Sequence, residues 1–162
     1  MLPEIISNKI VSREQALHPL NIWKFRNEQI VFTNGCFDIL HRGHLEYLFQ
    51  AAALGHRLIV GLNSDESVRR LKGPTRPVNN IDDRAFALAS LRCTDLIVPF
   101  GEDTPLELLE FLQPDILVKG GDYSIESIVG AKEILSRGGR VEVLSFTDGY
   151  STTSLIDKMK KG

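Results

Sequence analysis

The sequence predicts an α/β fold: one five-stranded parallel sheet with helices packed on both faces. Three observations predict it. Five short runs rich in β-branched residues recur along the chain, helical periodicity fills the intervals between them, and 162 residues suffice for one domain with a full-sized core. Strands that alternate with helices form a parallel sheet, because each helical crossover returns the chain to the same end of the sheet.

The runs are 29–33 (QIVFT), 57–62 (RLIVGL), 96–98 (LIV), 116–118 (ILV) and 140–144 (RVEVL). The first four are nearly continuous in apolar character, as strands covered on both faces are, whereas the fifth alternates and suits an edge. Leu45, Leu48, Phe49 and Ala52 keep the i, i+3, i+4, i+7 spacing of one helix face, and Gly55 stands where a C-terminal cap belongs. Ala85, Leu88, Ala89 and Arg92 repeat that spacing behind Asn80, an N-cap residue with Asp83 three positions on. Thr104-Pro105 opens a helix through Leu112, with Pro at its first position. Two further helices are predicted over residues 128–137 and 151–160. Residues 1–28, with one helical stretch over 12–25, form an N-terminal extension packed on a domain of residues 29–162.

Composition narrows the function. Hydrophobic residues make up 43% and charged residues 25%, ordinary values for a soluble globular protein. Nineteen basic against 21 acidic residues leave a net charge of -2, without the basic excess of a nucleic-acid coat or a membrane-surface protein. No apolar run reaches membrane-spanning length, and the N-terminus lacks the pattern of a secretory signal. Cys36 and Cys93 have neither the count nor the spacing of a disulfide framework or a zinc site. The expectation is a reduced, cytoplasmic protein without a structural metal.

In open parallel sheets, ligands bind beyond the carboxyl ends of the strands. Four segments follow those ends: 34–44, 63–77, 119–123 and 145–153. The first reads Asn34-Gly35-Cys36-Phe37-Asp38-Ile39-Leu40-His41-Arg42-Gly43-His44 and carries neither G-x-G-x-x-G nor a P-loop. His41 and His44 lie three apart at a helix start, on one face, beside backbone N–H groups that can receive an anion. Gly43 removes a side chain between them and lets a phosphate approach the backbone. Two imidazoles beside such donors can stabilise a phosphate whose charge rises in a transition state.

Asn34-Gly35-Cys36-Phe37-Asp38 followed by His41-x-Gly43-His44 resembles the signature of the cytidylyltransferase-like nucleotidylyltransferases. The resemblance continues in order through Asn63-Ser64-Asp65, Arg69-x-Leu71-Lys72-Gly73, Arg76-Pro77-Val78, Arg84, Lys119-Gly120-Gly121-Asp122-Tyr123 and Asp148-Gly149-Tyr150-Ser151-Thr152-Thr153. It spans roughly residues 30–160. Within the superfamily the pattern is most similar to the adenylyltransferase domains of ADP-heptose synthases. The glycerol-3-phosphate cytidylyltransferases carry Arg-Thr-Glu-Gly where this chain has Phe146-Thr147-Asp148-Gly149.

The resemblance implies a Rossmann-like nucleotidylyltransferase domain. It also implies adenylyl transfer from ATP to D-glycero-β-D-manno-heptose 1-phosphate, giving ADP-heptose and pyrophosphate for lipopolysaccharide core biosynthesis. It assigns His41, His44 and Lys72 to catalysis. Thr33, Asn34, Gly35, Cys36, Phe37, Asp38, Gly43, Asn63, Asp65, Arg84, Gly120, Gly121, Asp122, Ser151, Thr152 and Thr153 are assigned to nucleotide binding. Mg²⁺ is expected on the triphosphate, with no dedicated protein site; a separate sugar kinase would supply the sugar 1-phosphate, and a homodimer is expected.

Taken without the resemblance, several of these residues have plainer readings. Lys72 sits in a Gly-Pro loop and could be a solvated lysine. Arg84, at a helix start, is a cation where the dipole favours an anion, unless it meets a phosphate or pairs with Asp82 or Asp83. Ser151 could be only an N-cap. Cys36 is read as a small buried residue and not a nucleophile, and His18 and His56 as structural or exposed. The alternatives are a cytidylyltransferase acting on glycerol 3-phosphate or another small phosphorylated alcohol, and a non-catalytic nucleotide-binding module. An NAD-dependent oxidoreductase is disfavoured by the missing glycine fingerprint.

Overall fold

The computed structural model describes residues 3–161. Five strands form one all-parallel sheet: β1 (Ile30–Gly35), β2 (Arg57–Asn63), β3 (Leu96–Phe100), β4 (Ile116–Gly120) and β5 (Arg140–Leu144). Their order across the sheet is β3-β2-β1-β4-β5. The chain moves outward from β1 to β3, then crosses back to β4 beside β1, so the order reverses at the β1–β4 junction. At such a junction the connections leave in opposite directions and a crevice opens. β5 is an edge strand, as its alternating pattern predicts.

Both faces of the sheet are covered, and the side-chain alternation decides what each face meets. Ile30 and Phe32 of β1 and Ile59 of β2 enter one core with Leu20 and Trp23 of α2 (Arg13–Phe25), Leu108 of α6 (Leu106–Leu112) and Ile134 of α7 (Ala131–Ser136). Val31, Leu58, Val60 and Leu62 point the other way. They meet Leu48 and Ala51 of α3 (Arg42–Ala52) and Ala85 and Leu88 of α5 (Ile81–Ala89).

Residues before β1 belong to this packing. α1 (Glu4–Ser7), which no periodicity announces, leads to a short bridge on the open edge of β3, with Ile97 N–H donating to the Lys9 carbonyl and Val11 N–H to the Ile97 carbonyl. Covering an edge strand in this way removes its free hydrogen-bonding row. Ser12 then caps α2 through a reciprocal bond with Gln15.

The elements depart from the sequence reading in several places. β1 runs on through Asn34 and Gly35, which were expected in the following turn. A helix, α4 (Asp65–Lys72), occupies what was read as loop, with Ser64 capping its start and Gly73, at φ +102°, ending it. Its signal was the charge order, acidic Asp65 and Glu66 first and Arg69, Arg70 and Lys72 last, more than an apolar stripe. The helix expected over 128–137 shrinks to α7, preceded by a 3-10 turn at Ile125–Ser127. Gly130 starts α7 at φ +87°, and a Cβ there would lie 2.3 Å from Leu109. Pro105 stands just before α6, at its N-cap, not in its first turn. Ala53, not Gly55, caps α3; a Cβ on Gly55 would meet Val31 at 2.7 Å, so close packing requires that glycine. α8 (Thr152–Lys161) closes the described chain.

Candidate active site

A cleft of about 750 Å³ opens beyond the carboxyl ends of β1, β2 and β4. His41 and His44 line it. His41 is the N-cap of α3 and its Nδ1 accepts a long bond from the His44 backbone N–H, 3.4 Å. An accepting Nδ1 leaves the proton of the neutral ring on Nε2. The two imidazoles stack with centroids 3.8 Å apart at 21°. A Cβ on Gly43 would come within 3.0 Å of Tyr150 and 3.1 Å of the His41 ring, so glycine is what permits this crowding.

Stacked this closely, the two rings would repel each other if both were charged. Burial lowers the His41 pKa, and burial followed by the neighbouring His41 lowers that of His44 to about 4, partly offset by the Ile39 backbone. Both are neutral at pH 7. His44 Nδ1 is buried and finds no hydrogen-bond partner of good geometry among the described residues. Phe37 packs edge-on to the His44 ring at 5.4 Å.

The segment that delivers these histidines is held by two buried charges. Arg84 has a side chain with no exposed surface. Its guanidinium donates to the carbonyls of Cys36 (2.7 Å), Asn63 (2.9 Å) and Asn79 (3.1 Å) and to Asp65 Oδ1 (2.6 Å). It therefore ties the ends of β1 and β2 to the first turn of α4 and the loop before α5. Asp38 faces that loop from the other side. Its carboxylate accepts from Arg76 Nε at 2.6 Å and from the backbone N–H groups of Val78 and Asn79 at 2.9 Å. Burial alone would raise its pKa; the Asn79 and Val78 N–H groups with Arg76 together outweigh that and keep it below the usual carboxylate range.

Cations and rings complete the walls. Lys72, at the end of α4, and Arg76 line the β2 side, and Lys119 the end of β4. Burial lowers the Lys119 pKa and the Lys72 charge lowers it further, which puts two ammonium groups within each other's field. Lys119 Nζ lies 5.9 Å from the Tyr123 ring. Phe146 lies over Gly120, where a Cβ would meet its ring at 2.6 Å, and 5.9 Å from Tyr47. Tyr47 donates to the Val118 carbonyl at 3.2 Å and pairs with Thr33 Oγ1 at 2.6 Å, which leaves Thr33 as the donor in that bond. Burial pushes the Cys36 thiol up despite the nearby Lys72, Arg84 and Arg76, which argues against an activated nucleophile, although Cys36 is only partly buried and lines the cleft.

The structure brings His41, His44 and Lys72 together on one cleft, with Asn34, Gly35, Cys36, Phe37 and Gly43 beside them. Asn63 and Gly120 line it at the ends of β2 and β4, and Ser151, Thr152 and Thr153 at the start of α8. Lys72 is helical and not in a loop. Five expected nucleotide contacts lie off the cleft wall. Thr33 is buried in its bond to Tyr47, Asp65 holds Arg84, and Gly121 and Asp122 follow the lining residue Gly120. Arg84 corrects the plainer reading: its carboxylate partner is Asp65, not Asp82 or Asp83. Asp38 lines the cleft, but its carboxylate is already engaged and its side chain is 1% exposed. Sequence reasoning missed Tyr47, Phe146 and Tyr150 as wall residues. Tyr47 sits one helical turn past Gly43 on α3, a spacing that could have pointed to it.

The comparisons agree with this geometry. The Cytidylyltransferase-like family model matches residues 32–158. The chain is 55% identical over 149 residues to "Bifunctional protein HldE" of Marinomonas sp. (strain MWYL1), covering 92% of this chain and 31% of that protein. A relative of the same name from Shewanella amazonensis is also 55% identical, over 93% of this chain and 32% of its own length. The chain thus spans about a third of the length of the curated relatives it matches. Among solved structures, the lipopolysaccharide core biosynthesis protein from Thermoplasma volcanium GSS1 is similar with a TM-score of 0.60 and 27% identity, over 76% of this chain and 99% of that one. With the histidine pair placed where the sheet order reverses and the family match running through it, the chain belongs to the cytidylyltransferase-like family and is a nucleotidylyltransferase.

Proposed function

We propose that the protein transfers the adenylyl group of ATP to D-glycero-β-D-manno-heptose 1-phosphate, giving ADP-heptose and pyrophosphate for lipopolysaccharide core biosynthesis. The observation that carries the chemistry is the neutral, stacked His41–His44 pair at the start of α3, with lysines on the walls around it. The kinship with the HldE proteins and with a lipopolysaccharide core biosynthesis protein supports the sugar.

The sugar phosphate oxygen attacks the α-phosphorus in line, and pyrophosphate leaves. Little covalent help is needed; the site positions the reactants and meets the charge that develops. His41 donates from Nε2, and His44 and the first N–H groups of α3 join it around the α-phosphate. Lys72 and Lys119 neutralise the remaining phosphates as mobile point charges. Phe146 and Tyr123 offer ring faces to the nucleobase. A kinase acting on the sugar supplies the phosphorylated substrate.

Mg²⁺ arrives on the triphosphate in this reading. Among the described residues no three His, Cys, Asp or Glu side chains converge into a metal site. The Asp38 carboxylate is engaged by Arg76 and two backbone N–H groups, and Asp103 pairs with Arg70 at 2.8 Å. These residues do not form a protein cage for a metal.

The test is to incubate the protein with each nucleoside triphosphate and a panel of sugar and polyol phosphates, and to identify products by mass. ADP-heptose from ATP and the heptose 1-phosphate is the expected product. Faster turnover of CTP with glycerol 3-phosphate would refute the substrate assignment.

A further inference from the structure

We propose that Phe37 is the positioning residue for His44, and that Gly35, Arg84 and Asp38 exist around it to hold it in place. The proposal rests on the reading of His44 as a stabiliser of the α-phosphate. A histidine that must present one nitrogen to a reacting group is normally oriented by a hydrogen bond to the other. Here Nδ1 is buried without a partner of good geometry among the described residues, so beside the Ile39 backbone contact it is packing that fixes the ring. His41 is stacked 3.8 Å from it, and Phe37 contacts it edge-on at 5.4 Å and 63°.

Phe37 reaches that position at a conformational cost. Its φ is +43°, in the left-handed region that a bulky side chain seldom occupies. Strain of this kind persists only where the surroundings over-determine it. They do so here from both sides in sequence. The carbonyl of the preceding Cys36 accepts the 2.7 Å bond from Arg84, and the carboxylate of the following Asp38 is fixed by Arg76, Val78 and Asn79. Asn79 Nδ2 also donates to the Asp38 carbonyl at 2.7 Å. Two residues earlier, a Cβ on Gly35 would lie 2.9 Å from the Phe37 ring, so glycine clears the space the ring fills. The run Gly35-Cys36-Phe37-Asp38 is then a device: a space, an anchor, a strained ring and a second anchor. The buried Arg84 has its place in that device without touching a phosphate.

A residue that acts through another loses its effect once the other is gone. The experiment is a double-mutant cycle on turnover, read by pyrophosphate release with saturating nucleotide and sugar phosphate. Phe37→Ala is expected to lower kcat about 30- to 100-fold, as misplacement of a reacting group does, with KM for ATP within about 3-fold. In the His44→Ala background the same change is expected to cost less than about 3-fold further, because no imidazole is left to misplace. Phe37→Leu, which keeps apolar volume but loses the flat edge, carries the same cycle should the alanine variant fold poorly. Equal losses from the Phe37 changes in both backgrounds, or parental kcat in the Phe37 variants while His44→Ala is slow, would overturn the proposal and leave the role of His44 intact. Parental turnover by His44→Ala would overturn both.

Discussion

Around β1 and β2 the cleft wall is pinned by buried charge; around β4 and β5 it is made of rings and glycine. On the first side, Arg84 and Asp38 together hold five backbone groups, and neither side chain exposes more than 1% of its surface. Arg84 also pairs with the Asp65 carboxylate, which ties in the first turn of α4. On the second side, Phe146 is 55% exposed and Tyr150 42%, and Thr147 reaches Glu46 on α3 through one hydrogen bond. Rigid hydrogen-bonded backbone suits the place where a phosphorus centre must meet its donors within a fraction of an ångström. Stacking on exposed rings tolerates small displacement and suits a nucleobase that must enter and leave. Under the proposed function, the difference would separate chemistry from capture within one cleft.

That division can be broken most forcefully at Arg84. Arg84→Ala would leave three carbonyls and the Asp65 carboxylate without their buried partner, and the expected loss of folding stability is about 3–5 kcal/mol. Denaturant unfolding of the parent and the variant measures it. A loss below about 1 kcal/mol would mean that the pinned side relaxes easily, and the contrast between the halves would fail.

The histidines come next. His44→Ala is expected to lower kcat roughly 10²–10³-fold, about 3–4 kcal/mol, with KM for ATP little changed, since the lost contact tightens in the transition state. His41→Ala should behave alike, and the double variant should lose less than the product of the two. Steady-state kinetics with separately determined kcat and KM checks this, and near-parental turnover in both single variants would remove the histidines from the mechanism.

Lys72→Ala should lower kcat/KM for ATP by about 1.5–3 kcal/mol, on the order of 10- to 100-fold, while the unfolding midpoint stays put. Its position on the last turn of α4, facing the cleft, contributes charge and no core packing. An unchanged kcat/KM would return it to the solvent.

The smallest effect belongs to the aromatic side. Phe146→Ala removes one stacking surface that is half exposed, and about 1 kcal/mol of nucleotide affinity is expected to go with it. Titration calorimetry with ATP would read this as a roughly 5-fold weaker Kd at unchanged kcat. A loss in kcat instead would show that the ring side also aligns the reacting atoms.

Much of this protein is local in origin. The strands are legible because Ile30-Val31-Phe32 and Leu58-Ile59-Val60 are apolar on both sides of the pleat, and α5 because Asn80 and Asp83 exchange a capping pair. His41-x-Gly43-His44 is legible because a helix start, a missing side chain and two imidazoles lie within four residues. α4 escaped for the opposite reason: its octet carries few apolar residues, and its order of charges had to be weighed instead.

What only the tertiary structure decided concerns partners distant in sequence. Arg84 looks like a surface cation beside Asp82 and Asp83; the fold carries it inward to Cys36 and Asn63, 48 and 21 residues away. Asp38 looks like a ligand for a nucleotide until the loop before α5 folds over it and takes both its oxygens, and Phe37 gives no sign in the sequence of a left-handed backbone. Periodicity and capping are set by neighbours a few residues apart, so one sequence suffices to read them. The burial of a charge and the strain of a backbone are set by groups that meet only when β1, β2 and α5 converge, and no local pattern encodes that meeting.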